Sequence, residues 1–278
     1  MAQGYADLDA PHFHYEMSAV PGLPRRWRGP IPDFDRPFFA CLGAAQTFGR
    51  FCKRPFPEQC GDLLGVPALN LGHGGIGPGF FLDPAFRRVL ERAELVVVQM
   101  LSGRSASNSE FLNENGGAFG RRLRDGNEMR FEKFLQEEFD DRPTEELLRI
   151  VEETRQRFTV QMKSLVRSIQ APTILLWISE QPPRTEDDIS RFWKLMGRFP
   201  HLVNRTMVDE IAAEADALVE CSSDEHVPQK LWPGTESIDG AVAEEGFLWN
   251  RYYPPPQHHD EIAAALAPVC AKLLGRNT

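Results

Sequence analysis

The chain has 278 residues, a formal net charge of -9 and a pI near 5.4, with 42% hydrophobic and 26% charged residues. This is enough to bury a full core in one large α/β domain, and the acidic balance argues against general affinity for nucleic acid or anionic membranes. No apolar run approaches the ~18 residues of a membrane span, and "MAQGYADLDAPHFHYEM" lacks the basic-then-apolar order of a secretory signal.

Residues 1–36, rich in Pro, Gly and aromatics, read as an extended arm packed on a domain spanning 37–278, with Trp27–Pro30 as a turn. The run 38–42 (FFACL) predicts a first strand buried on both faces. It empties into a loop of small residues, Gly43-Ala44-Ala45-Gln46-Thr47-Phe48-Gly49. "FPEQCGDLLG" suits a short helix opened by Pro57 and closed by Gly65. "VPALNLG" is a second strand leading into the glycine-rich "GHGGIGPG". Asp83 and Pro84 form an N-cap and first helical position for "AFRRVLERA", and "ELVVVQML" is a third strand.

A polar stretch, about 102–143, then interrupts the alternation and is expected to be an insertion over the sheet's carboxyl edge. Thr144 is expected to cap a long amphipathic helix running to about Ile169, with Glu145 and Glu146 in its first turn. Leu147, Val151, Phe158, Met162 and Leu165 give that helix a core-facing stripe. "PTILLWIS" and "DALVECS" are the fourth and fifth strands, and His259–Leu274 is a closing helix. The pattern predicts a three-layer α/β sandwich on a mostly parallel five-stranded sheet, with ligands expected at its carboxyl edge.

The basic clusters Arg25-Arg26-Trp27-Arg28 and Arg121-Arg122-Leu123-Arg124 are expected to be solvated surface. Cys41, Cys52, Cys60, Cys221 and Cys270 are scattered, with no CxxC and no zinc-site spacing. They predict reduced thiols in a cytoplasmic protein. No metal or cofactor is called for.

Order and spacing of the loops resemble the SGNH (GDSL-type) hydrolases, whose first block is Gly-Asp-Ser-x-Thr-x-Gly. Gly43, Thr47 and Gly49 match it, while Ala44 and Ala45 fall on the Asp and Ser. Asn70, Gly72 and Gly75 are compatible with the second block, whereas Gly103-Arg104-Ser105 stands where Gly-x-Asn-Asp is expected, with Asn108 the nearest asparagine. In the last block, Asp-x-x-His, His259 matches but Pro256 holds the Asp position. The whole chain, including "WRGP" and "TFGRF", also resembles a group of alphaproteobacterial proteins of unassigned activity.

The resemblance implies a flavodoxin-like fold and an ester or acyl-group chemistry in which serine attacks, histidine takes the proton and aspartate orients the histidine. A sequence with alanine and proline at two of those places cannot run it. What remains are candidates for a pocket: Gly43, Ala45, Gln46, Asn70, Gly72, His73, Gly75, Arg104 and Asn108 for binding or an oxyanion, with His259 and Thr47 as the candidate catalytic groups. His258 is expected to be solvated. Thr47 has a second reading as the cap of a helix after the first strand.

Three functions stay open. The first is an altered enzyme acting on an acylated, sulfated or saccharide small molecule. The second is a catalytically silent binding or assembly protein. The third is a sulfotransferase-like nucleotide-phosphate binder, which lacks the Lys-Ser/Thr of such loops and has only Arg50 nearby.

Overall fold

The computed structural model describes residues 5–114, 116–117 and 119–276; residues 1–4 of the expected arm lie outside them. Five apolar runs form the parallel strands β1 (Phe39–Gly43), β2 (Ala68–Gly72), β3 (Val96–Gln99), β4 (Thr173–Ser179) and β5 (Ala217–Ser222). Their order across the sheet is 2-1-3-4-5, the flavodoxin-like arrangement, which reverses direction between β1 and β3. Alternation along β1 sorts the layers: Ala40 and Leu42 face one side, Phe39 and Cys41 the other.

The main helices are α1 (Phe56–Leu64), α2 (Pro84–Leu90), α3 (Phe131–Asp141), α4 (Thr144–Ser168), α5 (Arg205–Ala212) and α6 (Pro256–Leu273). Phe86 of α2, Phe158 of α4 and Ile211 of α5 pack with Leu42, Val98 and Leu175. On the opposite face, Phe56 of α1 and Leu266 of α6 pack with Cys41, Val97 and Leu176. Each such apolar side chain withdrawn from water contributes about 1.5–3 kcal/mol, so helices on both faces make the sandwich its own staple.

Several local expectations are refined. Asp83 does cap α2, its carboxylate accepting from Ala85 N at 2.8 Å. Thr144 does not cap α4: it is the first helical residue, and Pro143 holds the cap position without a side-chain bond. Trp27 ends a two-residue strand, Arg26–Trp27, paired with Ser18–Ala19, rather than opening a turn. The polar stretch after β3 folds into a small antiparallel sheet (Phe111–Leu112, Phe119–Arg122, Glu128–Arg130) followed by α3. A second antiparallel sheet, with Phe247–Asn250 between Gln229–Pro233 and Ala241–Glu244, separates β5 from α6.

Both basic clusters contain a buried arginine. Arg28 is 2% exposed and Arg122 8%, so neither cluster is simply solvated surface. Arg28 donates to the carbonyls of Phe48 (2.9 Å), Gly49 (2.7 Å), Cys52 (2.7 Å) and Lys53 (2.8 Å). One guanidinium thereby holds the chain that leaves the loop after β1.

Candidate functional site

The loop after β1 is a single helical turn, Ala45–Phe48, closed by Gly49 at φ 76°. A glutamine from β3 organises it. Gln99 Oε1 accepts hydrogen bonds from Ala44 N (3.0 Å), Thr47 N (3.3 Å) and the Thr47 hydroxyl (2.6 Å). Gly43 is required there, because a Cβ would lie 2.0 Å from Thr47 Oγ1 and 2.4 Å from Gln99 Oε1. From β2, Asn70 Nδ2 donates to Thr47 O (2.9 Å) while its Oδ1 accepts from Gly72 N (2.9 Å). A Cβ on Gly72 would come within 2.1 Å of Phe48 N. The two loops are thus locked face to face by small residues and one amide.

Thr47 lies inside the turn, fully buried, and does not cap it; Ala44 takes the cap position without a side-chain bond. Its hydroxyl, the only one on this loop, is spent on Gln99. Since Gln99 Oε1 faces three donors, its Nε2 points to Gln46 Oε1 (3.5 Å). Gln46, itself 2% exposed, lines a cavity of about 660 Å³ at the carboxyl ends of β4 and β5, and among the described residues no protein group accepts from its amide nitrogen. Among the proposed site residues, Gln46 is the one that lines this cavity. The size falls within the range of small-molecule sites.

The other candidates serve elsewhere. His259 is fully buried at the start of α6, where its Nδ1 accepts from Phe56 N at 3.2 Å and its ring stacks on Phe56. Burial, with Arg28 and His258 nearby, pushes its pKa down to about 3. With Nδ1 as acceptor, the neutral ring carries its proton on Nε2, the reverse of the tautomer a serine triad needs. His73 Nδ1 donates to Gly74 O (2.9 Å), and Arg25 donates to its Nε2 (3.3 Å). Asn108 pins the insertion to α4: its Oδ1 accepts from Glu110 N and Phe111 N, and its Nδ2 donates to Thr154 Oγ1. Arg104 is paired with Glu132. Gly75, at φ 72°, supplies a left-handed turn. His258, expected to be solvated, is 4% exposed.

Arg50 cannot serve a phosphate. Its guanidinium is fully buried, donates to both carboxylate oxygens of Asp9 (2.9 and 3.0 Å) and to Asp239 O (2.8 Å), and lies 4.0 Å from the Tyr5 ring centroid. Tyr5 in turn covers the glycine loop, for a Cβ on Gly74 would fall 2.3 Å from its ring. The segment before β1 therefore packs over both loops.

Sequence reasoning missed Gln99, Tyr252 and His201, and expected Arg28 on the surface. Only Gln99 left a signal, a lone amide at the end of the apolar run "ELVVVQML". The cavity wall is aromatic, with Trp177, Trp193, Phe199, Tyr252 and Tyr253. Three cations (Arg184, Lys194, Arg198) face three carboxylates (Glu180, Glu186, Asp188). Lys194 pairs with Asp188 at 2.7 Å and Arg198 with Glu180 at 3.1 Å, while Arg184 donates to the carbonyls of Lys194 and Leu195. Half-burial raises the Glu180 carboxyl above its ordinary pKa. Among the described residues, no group of three or more His, Cys, Asp or Glu could hold a metal ion. Within the same residues, no helix is long and apolar enough to cross a membrane. All five cysteines are buried with free thiols.

Residues 2–112 and 124–274 match a family described as a domain of unknown function, DUF6473. The chain belongs to that family. No curated protein matches this DUF6473 member. Among solved structures it is similar to a carbohydrate esterase family 2 enzyme with a carbohydrate-binding domain from Corynascus thermopiles (Myceliophthora fergusii): 12% identity, 90% of this chain, 70% of that one, TM-score 0.43. It is also similar to the acetyl xylan esterase Est2A of Butyrivibrio proteoclasticus: 10% identity, 90% and 67% coverage, TM-score 0.42. A G-D-S-L family protein from Desulfitobacterium hafniense gives 13% identity, 84% and 99% coverage, and a TM-score of 0.41. Such distant likenesses carry no chemistry across; the fold of this DUF6473 member rests on its own strand order.

Proposed function

We propose that the chain is a divergent SGNH-like protein that binds a neutral, ring-bearing small molecule, a saccharide or an acylated compound, and does not catalyse serine-type acyl transfer. The observation that carries this reading is Gln46, the residue after Ala45, on the wall of an aromatic cavity with its amide nitrogen taken by no acceptor among the described residues. The groups that would have to perform acyl transfer are committed to the interior: the Thr47 hydroxyl to Gln99, the His259 ring to the Phe56 amide. An acyl-enzyme needs an attacking atom, and Ala45 has none.

Charge narrows the ligand. A sulfated or phosphorylated ligand calls for unpaired cations, whereas the cations of this wall are balanced by carboxylates and carbonyls. Aromatic faces with a few polar groups suit a neutral ring instead. Five free thiols favour a reducing, cytoplasmic setting.

Trp177 and Trp193 both line the cavity, so tryptophan fluorescence reports on occupancy. Titration with methyl glycosides of xylose, glucose and N-acetylglucosamine is expected to give a saturable change for at least one. Gln46→Leu is expected to weaken that binding about 10-fold, equivalent to about 1.4 kcal/mol. Absence of saturable binding throughout the set, or a steady 4-nitrophenyl acetate turnover abolished by His259→Ala, would overturn the proposal.

A further inference from the structure

Hydrogen-bond polarity along the cavity wall can be followed atom by atom. His201 Nδ1 lies 2.9 Å from Gly197 O, and a carbonyl only accepts, so Nδ1 carries the proton. Burial, with Arg104 nearby, pushes the His201 pKa down to about 4, so the ring is neutral near pH 7. Its Nε2 is therefore an acceptor, and the Tyr252 hydroxyl, 3.2 Å away, must donate to it. The phenol proton is thereby committed. Among the described residues no protein group donates back to the Tyr252 oxygen, and Tyr252 and His201 both line the cavity.

The neighbouring Tyr253 is saturated by contrast. Its hydroxyl donates to Asp239 Oδ2 (3.0 Å) and accepts from Tyr5 (3.1 Å) and Arg50 (3.4 Å). Gln46 has the opposite polarity to Tyr252, since its oxygen faces Gln99 and, among the described residues, no protein group accepts from its amide nitrogen. We infer that Tyr252 is a specificity-determining residue that accepts a hydrogen bond from the ligand, while Gln46 donates one. This rests on the cavity being the binding site, as proposed above, and adds the ligand's polarity: a hydroxyl or N–H group beside an oxygen acceptor. An unsubstituted hydroxyl next to a ring or acyl oxygen has that pattern. A ligand whose hydroxyls are all alkylated does not, because its ether oxygen would face the lone pairs of Tyr252.

The test uses the full chain and isothermal titration with the methyl xyloside and methyl glucoside named above, each paired with its fully O-methylated form. The parent is expected to prefer the free-hydroxyl form by about 10-fold or more, since a polar group left unpaired in a buried site is strongly discriminated against. Tyr252→Phe is expected to bind the free form more weakly and to bring the pair within about twofold. His201→Phe provides the independent arm. It releases the phenol proton, so Tyr252 can donate to an ether oxygen and the preference should fall while Tyr252 stays in place. If both variants bind and keep the parent's preference, the inference about Tyr252 is overturned while the cavity reading survives through Gln46→Leu. If the parent binds none of the glycosides, both are overturned together.

Discussion

Gln99 Oε1 accepts the Thr47 hydroxyl at 2.6 Å, so the one hydroxyl of the loop after β1 belongs to the fold. The same oxygen takes the backbone N–H groups of Ala44 and Thr47. Replacing Gln99 with leucine strands three donors where water is largely excluded. Urea unfolding of Gln99→Leu should show a loss of at least about 3 kcal/mol, given 1–3 kcal/mol for each of three buried unsatisfied groups. A loss below about 1 kcal/mol would mean that the loop is held by Asn70 and Arg28 without it.

Restoring a serine should not restore an esterase. Ala45 is 5% exposed and packs with Phe51, Leu248 and Tyr253. Even an Oγ placed there would need an imidazole nitrogen free to take its proton, and His259 offers Nε2–H with Nδ1 already engaged. The position that would orient the ring is Pro256, inside the first turn of α6. Hydrolysis of 4-nitrophenyl acetate by Ala45→Ser should therefore equal that of the parent, and Thr47→Ala and His259→Ala should leave the parent rate unchanged. A triad-level rate in Ala45→Ser refutes this.

Most of the frame could be read from residue order, because each strand of the sheet is an apolar run and each flanking helix carries a periodic stripe. Phe38 to Leu42 and "PTILLWIS" could hardly be anything else in an α/β chain. The antiparallel strands around Phe247 were invisible, since half-exposed short strands such as Gln229–Pro233 show neither a run nor a clean alternation. The site was only partly legible. Gln46 could be picked out by its place after Ala45, but its orientation depends on Gln99, 53 residues away in sequence. His201 and Tyr252 are joined only by tertiary folding, 51 residues apart. His259 looked available because a histidine at a helix start is usually half-solvated; the Phe56 amide that occupies it comes from another helix.

Buried neutral histidines predict acid sensitivity, His259 and His201 most strongly. The pKa values of His259 and His201 are depressed by burial to about 3 and about 4, below the ordinary 6.5. The unfolded chain therefore binds more protons than the folded one between those limits. Stability is full above about pH 6.5 and falls as pH drops toward 4 and then 3. Each histidine contributes a slope of up to about 1.4 kcal/mol per pH unit. Glu180, whose carboxyl is raised, contributes with the opposite sign, so the histidine effect is best isolated by substitution. His259→Asn, which keeps an acceptor for the Phe56 amide, should flatten the stability profile between pH 6 and pH 4 in urea titrations. An unchanged slope would show that His259 does not titrate on unfolding.

The ion pair between Asp9 and Arg50 ties the segment before β1 to the loop that follows it. Both side chains are fully buried, and Asp9 also accepts from the Tyr15 hydroxyl at 2.9 Å. Asp239 reaches the same guanidinium at 3.4 Å, but its side chain is 54% exposed. Removing one partner of a buried pair strands the other charge, whereas a half-exposed partner is screened by water. Asp9→Asn should therefore destabilise the protein by about 3–5 kcal/mol, and Asp239→Asn by less than about 1 kcal/mol. The double variant Asp9→Leu/Arg50→Met removes both charges and should recover most of the loss, as apolar replacements of buried pairs do. Equal effects of the two aspartates in urea unfolding would contradict this. They would mean that the segment holding Tyr5 over Gly74 is fastened by its aromatic contacts rather than by the buried charge.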